Sequence, residues 1–133
     1  MPITLNHKHM IISAIIGNPS TDPVFYEKWL TELVEKIEMK ILMGPFSVRV
    51  DYVGNTGCTG MVVIETSHAS IHVFEAEKPG NQHVLKMDVY SCADFDAEII
   101  MSHLSPFGVI GYDYMVIDRN GVATVIDSVV SYN

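Results

Sequence analysis

The sequence predicts an α+β fold: a two-layer sandwich in which a mainly antiparallel sheet carries two helices on one face. Three observations predict it. Strand-like apolar segments recur along the whole chain, two segments instead follow a helical period, and an Asn-Gly pair near the end marks a hairpin. The order is strand, helix, several strands, helix, strands, and that order suits an antiparallel sheet with segregated helices. The chain has 133 residues, of which 48% are hydrophobic and 18% charged. That is one domain, residues 1–133, with enough apolar material for a core. No internal repeat, low-complexity tract or interdomain linker divides it.

"KHMIISAII", residues 8–16, is a buried first strand, and the segment leading into it is read as part of that element rather than as a leader peptide. "GNPSTDP" is turn chemistry. Asp22 then caps a helix whose first position is Pro23. The helical pattern extends from Val24 to Met43. Phe25, Trp29, Leu33, Ile37 and Ile41 form its apolar stripe, and Glu27, Lys28, Glu32, Glu35 and Lys36 its wet side. Gly44-Pro45 is its predicted stop. "FSVRVDYV" alternates as a strand, "GNTGCTG" is expected to be a glycine-rich turn, and "MVVIETSHASIHVFEAE" is strand with an interruption near Thr66. "KPGNQH" is a loop and "VLKMDVYS" a strand. "DFDAEIIMSHL" is a shorter helix with Asp94 as its expected cap, ending before Ser105-Pro106. "YDYMVIDRNGVATVID" is a hairpin expected to reverse at Arg119-Asn120-Gly121 through a type I′ turn.

The net charge of −8 argues against nucleic-acid and anionic-membrane partners. No apolar run approaches the roughly 20 residues of a membrane helix. Two cysteines, Cys58 and Cys92, are too few for a disulfide framework, so a reducing, cytoplasmic setting is expected. The eight methionines suit core filling better than metal binding.

The segment "ETSHASIH", Glu65 to His72, holds the densest chemistry. In a regular strand His68, Ser70 and His72 share one face, while Ser67, Ala69 and Ile71 share the other. The simplest reading is a strand with a polar outer face. A zinc site from His68 and His72 with Cys92 or His83 lacks any telling ligand spacing. Ser67 has no Gly-x-Ser-x-Gly elbow around it, and "GNTGCTG" lacks the ending of a phosphate loop.

"GCTGMVVIETSHASIH", followed by "MDVYSC", resembles the short prokaryotic S-adenosylmethionine decarboxylases. The shared positions are Thr59-Gly60, an apolar strand from Met61 to Ile64, Ser67-His68, Ile71-His72, and Asp88 to Cys92. "KHMII" is similar to that family's first strand. The resemblance implies a proenzyme that cuts itself between Thr66 and Ser67 and turns Ser67 into a pyruvoyl group, the cofactor of the mature enzyme. The new carbonyl would take up the amine of S-adenosylmethionine and accept electrons as the carboxylate leaves, a step toward spermidine and other polyamines. It also implies roles by position: Ser67 as pyruvoyl precursor, Thr59 as the hydroxyl that assists processing, His72 as the histidine of the elimination, and Cys92 as the acid that reprotonates the substrate carbon. A homodimer with sites near its interface is implied too.

Three departures from the family pattern stand out. Thr66 replaces the usual Glu before the processing serine, Phe74-Glu75-Ala76 replaces aromatic-Pro-Glu, and Ser13 stands where the first strand often carries an acid. They motivate an alternative: an uncleaved, non-catalytic homologue that binds an adenosyl or amino-acid ligand. Ser67 and His72 also fall on opposite strand faces, so the expected site needs a bend or bulge near Thr66–Ser67.

Overall fold

The computed structural model describes residues 6–132. Seven strands form one antiparallel sheet: β1 Lys8–Ile16, β2 Ile41–Tyr52, β3 Asn55–Ile64, β4 Ser67–Phe74, β5 His83–Ser91, β6 Val109–Asp118 and β7 Thr124–Ser131. Their spatial order is β2-β3-β4-β5-β1-β6-β7. The first strand is thus enclosed between β5 and β6, while β2 to β5 follow one another as hairpins. Helices α1 Pro23–Lys36 and α2 Ala97–His103 complete the two layers, with a 3₁₀ turn at Ser105–Phe107. Among the described residues, no helix is long and apolar enough to cross a membrane.

Period-two alternation decides which side of each strand is buried. Met10, Ile12, Ala14 and Ile16 of β1, Ala69, Ile71 and Val73 of β4, and Leu85, Met87 and Val89 of β5 are buried. Tyr26, Trp29, Leu30, Leu33 and Val34 of α1 are buried as well and join the same core. The alternate positions His9, Ile11 and Ser13, His68, Ser70 and His72, and Lys86, Asp88 and Tyr90 lie on the opposite, uncovered face.

The start of α1 is as predicted: Pro23 occupies the first turn, and the Asp22 carboxylate accepts from the Val24 amide at 3.0 Å. Its end is not. The helix stops at Lys36, because Glu38 adopts a left-handed conformation (φ 59°) and the Met39 amide turns back to the Val34 carbonyl at 3.0 Å. Ile41 to Met43 continue the apolar stripe in sequence but belong to β2, and Gly44-Pro45 falls at an irregularity of that strand. Asp96, not Asp94, caps α2, accepting from the Glu98 amide at 2.9 Å. Asp94 instead binds Lys8 at 2.7 Å. The β6–β7 connection is longer than a two-residue turn, because Asn120 is spent on β1's approach: its side-chain oxygen accepts from the His7 amide at 2.9 Å.

The predicted turn "GNTGCTG" is mostly strand β3. Its glycines serve close approach instead. A Cβ on Gly57 would lie 1.9 Å from the Val73 carbonyl oxygen, and its φ of +149° is itself unfavourable for other residues. Gly57→Ala is therefore expected to cost about 2–4 kcal/mol, read as a lower urea midpoint with an unchanged slope. Gly80→Ala, at φ +86° with nothing nearby, should cost about 1 kcal/mol.

His103 ties α2 to α1. Its Nε2–H donates to the Trp29 carbonyl at 2.8 Å, the Trp29 indole N–H donates to the His103 carbonyl at 2.8 Å, and the rings stack at 4.6 Å. Nδ1 then accepts from Lys36 at 3.0 Å, which requires a neutral imidazole. Burial, aided by the Lys36 charge, pushes the His103 pKa down. The unfolded state then binds the proton more readily than the folded one, so stability falls as pH drops below about 6.5. The decline in thermal midpoint between pH 7.5 and 5 should be smaller in His103→Gln than in the unaltered protein.

Candidate active site

The interruption expected near Thr66 is a tight reversal. Strand β3 ends at Ile64, Glu65 and Thr66 make the turn, and Ser67 opens β4 with φ +152°. Ser67 pairs with Ile64 on one side and Ser91 on the other. Cys92 follows Ser91 directly, and its backbone amide donates to the Thr66 carbonyl at 2.8 Å. The carbonyl before Ser67 is thereby polarised by a fixed N–H. The Thr66 hydroxyl donates to the Met39 sulfur at 3.2 Å, and the Ser91 hydroxyl approaches the same sulfur at 3.6 Å. Cys92 is a free, half-buried thiol. Ser67 and Cys92 are thus brought together, with Met39 as a neighbour that no sequence motif signalled.

The other two predicted residues form a separate pair. Thr59 lies opposite His72 in the β3–β4 register, and Thr59 Oγ1 shares a 3.1 Å hydrogen bond with His72 Nδ1. On its other side His72 faces Lys86, whose ammonium donates to Ser13 Oγ at 2.9 Å. His72 lies five steps along the strand from Ser67, which is roughly 16 Å. The bend falls before Ser67, so it reverses the chain without bringing His72 back to it.

Between the two pairs the uncovered face carries a polar network that sequence reasoning missed. Asp88 accepts from the Ser70 hydroxyl and from His9 Nε2 at 3.1 Å. Arg119 reaches His9 Nδ1 at 3.5 Å and lies 4.4 Å above the Tyr90 ring. Tyr90 also meets the ring of His68, and its hydroxyl is 2.6 Å from His7 Nδ1. The motif Asp88-x-Tyr90-x-Cys92 signals part of this set. Arg119 arrives from a distant loop and leaves no local signature.

The zinc set weighed from sequence is not assembled. His83 Nδ1 accepts from the Ala76 amide at 2.9 Å, and among the described residues no three His, Cys, Asp or Glu side chains converge on a metal position. Glu75, displaced relative to the family pattern, makes a two-pronged ion pair with Arg49 at 2.5 and 3.2 Å, which fastens the end of β4 to β2.

A family model described as S-adenosylmethionine decarboxylase matches residues 8–120. The chain belongs to the S-adenosylmethionine decarboxylase family. The match spans β1 through the start of the β6–β7 loop and so includes every site residue named above. No curated protein matches the chain.

Proposed function

We propose that the protein is a pyruvoyl-dependent decarboxylase of S-adenosylmethionine that activates itself by cutting between Thr66 and Ser67. The observation that supports this most is the Cys92 amide held on the Thr66 carbonyl, beside a serine at an unfavourable φ. Attack by Ser67 Oγ on that carbonyl places negative charge on the oxygen that the amide already contacts. The Thr66–Ser67 amide becomes an ester. Loss of the Ser67 α-proton then releases the Thr66 carboxylate, and hydrolysis of the resulting enamine releases ammonia and leaves a pyruvoyl group.

The residues present fit that group: Ser67 begins β4 at the sheet's end, paired with Ser91, and Cys92 follows directly with its amide on the Thr66 carbonyl. When formed, the group supplies an electron-accepting carbonyl for loss of CO₂. Cys92 gives a proton to the substrate carbon. Thr59 orients His72 through Nδ1, leaving Nε2 to move a proton.

The same reading requires a homodimer. Thr59–His72 lies too far along β4 to serve Ser67 of its own chain, and the uncovered sheet face offers a route to another. Phe46 and Val48 of β2 are 56% and 55% exposed there, with Met61 and Ile11 at 44% and 41%. Packing two such faces together would bury this apolar surface and present the Thr59–His72 pair to the partner copy. A cytoplasmic location accords with the two unpaired cysteines. The rival reading, an uncleaved ligand-binding homologue, is favoured by Thr66, whose hydroxyl is engaged by Met39 where the family carries an acid.

Intact-mass spectrometry of the denatured protein decides between them. Cleavage yields residues 1–66 and a pyruvoyl-capped chain of 133 − 66 = 67 residues. Ser67→Ala should remain one chain. A single full-length mass after days of incubation removes the decarboxylase reading. Release of labelled CO₂ from S-adenosylmethionine should accompany cleavage.

Light scattering at micromolar concentration should give about twice the 14.8 kDa of one chain. Phe46→Asp combined with Met61→Asp, facing neighbours on β2 and β3, should shift the species to one chain. A one-chain mass for the unaltered protein counts against the dimer.

A further inference from the structure

The segment that leaves α1 docks on the turn that carries the Thr66–Ser67 bond. Glu38, at φ 59°, reverses the backbone after the helix, and the Met39 amide donates to the Val34 carbonyl at 3.0 Å. The Lys40 carbonyl then accepts from the Glu65 amide at 2.9 Å, so the connector between α1 and β2 lies beside the turn. Met39 is partly buried and packs against the core.

The Met39 sulfur is shared by the two segments that flank the bond. Thr66 Oγ1 donates to Sδ at 3.2 Å, and Ser91 Oγ approaches it at 3.6 Å. Thr66 supplies the carbonyl of the bond, and Ser91 is the β5 residue paired with Ser67. Among the described residues, neither hydroxyl has another acceptor. Ser91 is sealed from solvent, at 0% exposure, and its oxygen already accepts from the Ala93 amide at 3.0 Å. Its proton therefore has the sulfur alone, and a buried donor left without a partner is costly. Thr66 is β-branched and stiff at χ1, so holding its hydroxyl also holds the backbone at Thr66.

We propose that Met39 is a positioning residue for self-cleavage. Its thioether ties the β3–β4 turn to the end of β5 and so keeps the Cys92 amide on the Thr66 carbonyl. This role rests on the cut between Thr66 and Ser67 proposed above. The 2.8 Å bond from the Cys92 amide to the Thr66 carbonyl joins the same two segments as the sulfur does. The two ties act together: the backbone bond polarises the carbonyl, and the sulfur limits how far the turn swings from Ser91 and Cys92. Met39 acts through Thr66 and Ser91 rather than on the reacting atoms. An apolar side chain of the same size fills the space but accepts neither proton.

Two readouts on the full chain test this. The first is the rate at which cut product appears in intact-mass spectra. Met39→Leu keeps the volume and loses the acceptor, and it should slow cutting by about three- to tenfold. Met39→Gln restores an acceptor on a chain of similar length and should recover most of the rate. Met43→Leu, the same change at an exposed position of β2, should leave the rate as it is. The second readout needs no cleavage: hydrogen exchange of the Cys92 amide, followed by NMR in the uncut Ser67→Ala chain. Adding Met39→Leu should speed that exchange by about three- to tenfold, while the Met87 and Val89 amides in the middle of β5 keep their rates. Unchanged exchange at Cys92 overturns the proposal, and so does Met39→Gln cutting as slowly as Met39→Leu. Cutting that Met39→Leu leaves at full rate overturns the positioning role alone. No cutting by the unaltered protein overturns the self-cleavage reading and this role with it.

Discussion

A strand rises about 3.3 Å per residue and alternates its side chains, and β4 is held to that geometry by two neighbours. It is paired residue by residue with β3 from Ser67 to His72 and with β5 from Ser67 to Phe74. Neither end can slide without moving Ala69, Ile71 and Val73 out of the core, since a one-residue slip exchanges the faces. The pairing therefore fixes Ser67 and His72 far apart and on opposite faces. It also fixes Thr59 on His72 and the Cys92 amide on Thr66, since both contacts follow from the registers of these three strands. The two candidate pairs are each assembled by the sheet, and the same sheet keeps them separate.

The uncovered face extends that constraint. Its polar groups are not scattered: Ser70, Asp88 and His9, on three strands, and Arg119 from the loop after β6 form a continuous hydrogen-bonded chain. His9 Nε2 faces Asp88 and Nδ1 faces Arg119, so each ring nitrogen has a partner. The members of that chain can be covered without being stranded, because each already has a partner. Apolar side chains surround the chain, notably Met61 on β3, Ile11 on β1 and Met115 on β6. Satisfied polar groups within an apolar frame suit burial against a similar surface better than exposure to water.

Much of this was legible in the sequence. The period-two runs located β1, β4 and β5, and Asp22-Pro23 located the start of α1, because these signals are local. The helix end was not legible. Ile41, Leu42 and Met43 extend an apolar stripe that the chain interrupts by a left-handed Glu38, a conformation that a carboxylate side chain does not advertise. "GNTGCTG" suggested a turn because glycine usually signals one. Here Gly57 admits the Val73 carbonyl, a reason visible only once β4 is in place. Asp94 and Asp96 are equivalent as caps in sequence, and the choice between them is made by Lys8, 86 residues earlier. Ser67, Cys92, Thr59 and His72 were picked out by the family resemblance alone. Their division into two pairs was not, since separation along a strand becomes meaningful only with the register.

Thr66 gains a physical account from its surroundings. Its hydroxyl is a donor, and the Met39 sulfur beside it is a weak acceptor shared with Ser91. A carboxylate at this position is acceptor-only when ionised and would meet a thioether that offers it no proton. The pocket under the turn is therefore matched to a neutral donor. Such a contact is soft, because sulfur is a weak and polarisable acceptor. The stronger restraint on the peptide is the Cys92 amide on the Thr66 carbonyl, and it belongs to the backbone, where a change of side chain at 66 leaves it in place. The departure at Thr66 thus alters the charge next to the bond while leaving the polarisation of its carbonyl intact. The attack proposed for Ser67 Oγ would rest on that polarisation and on the positive φ of Ser67, both of which are properties of the turn and of the β5 end rather than of the residue that precedes the serine.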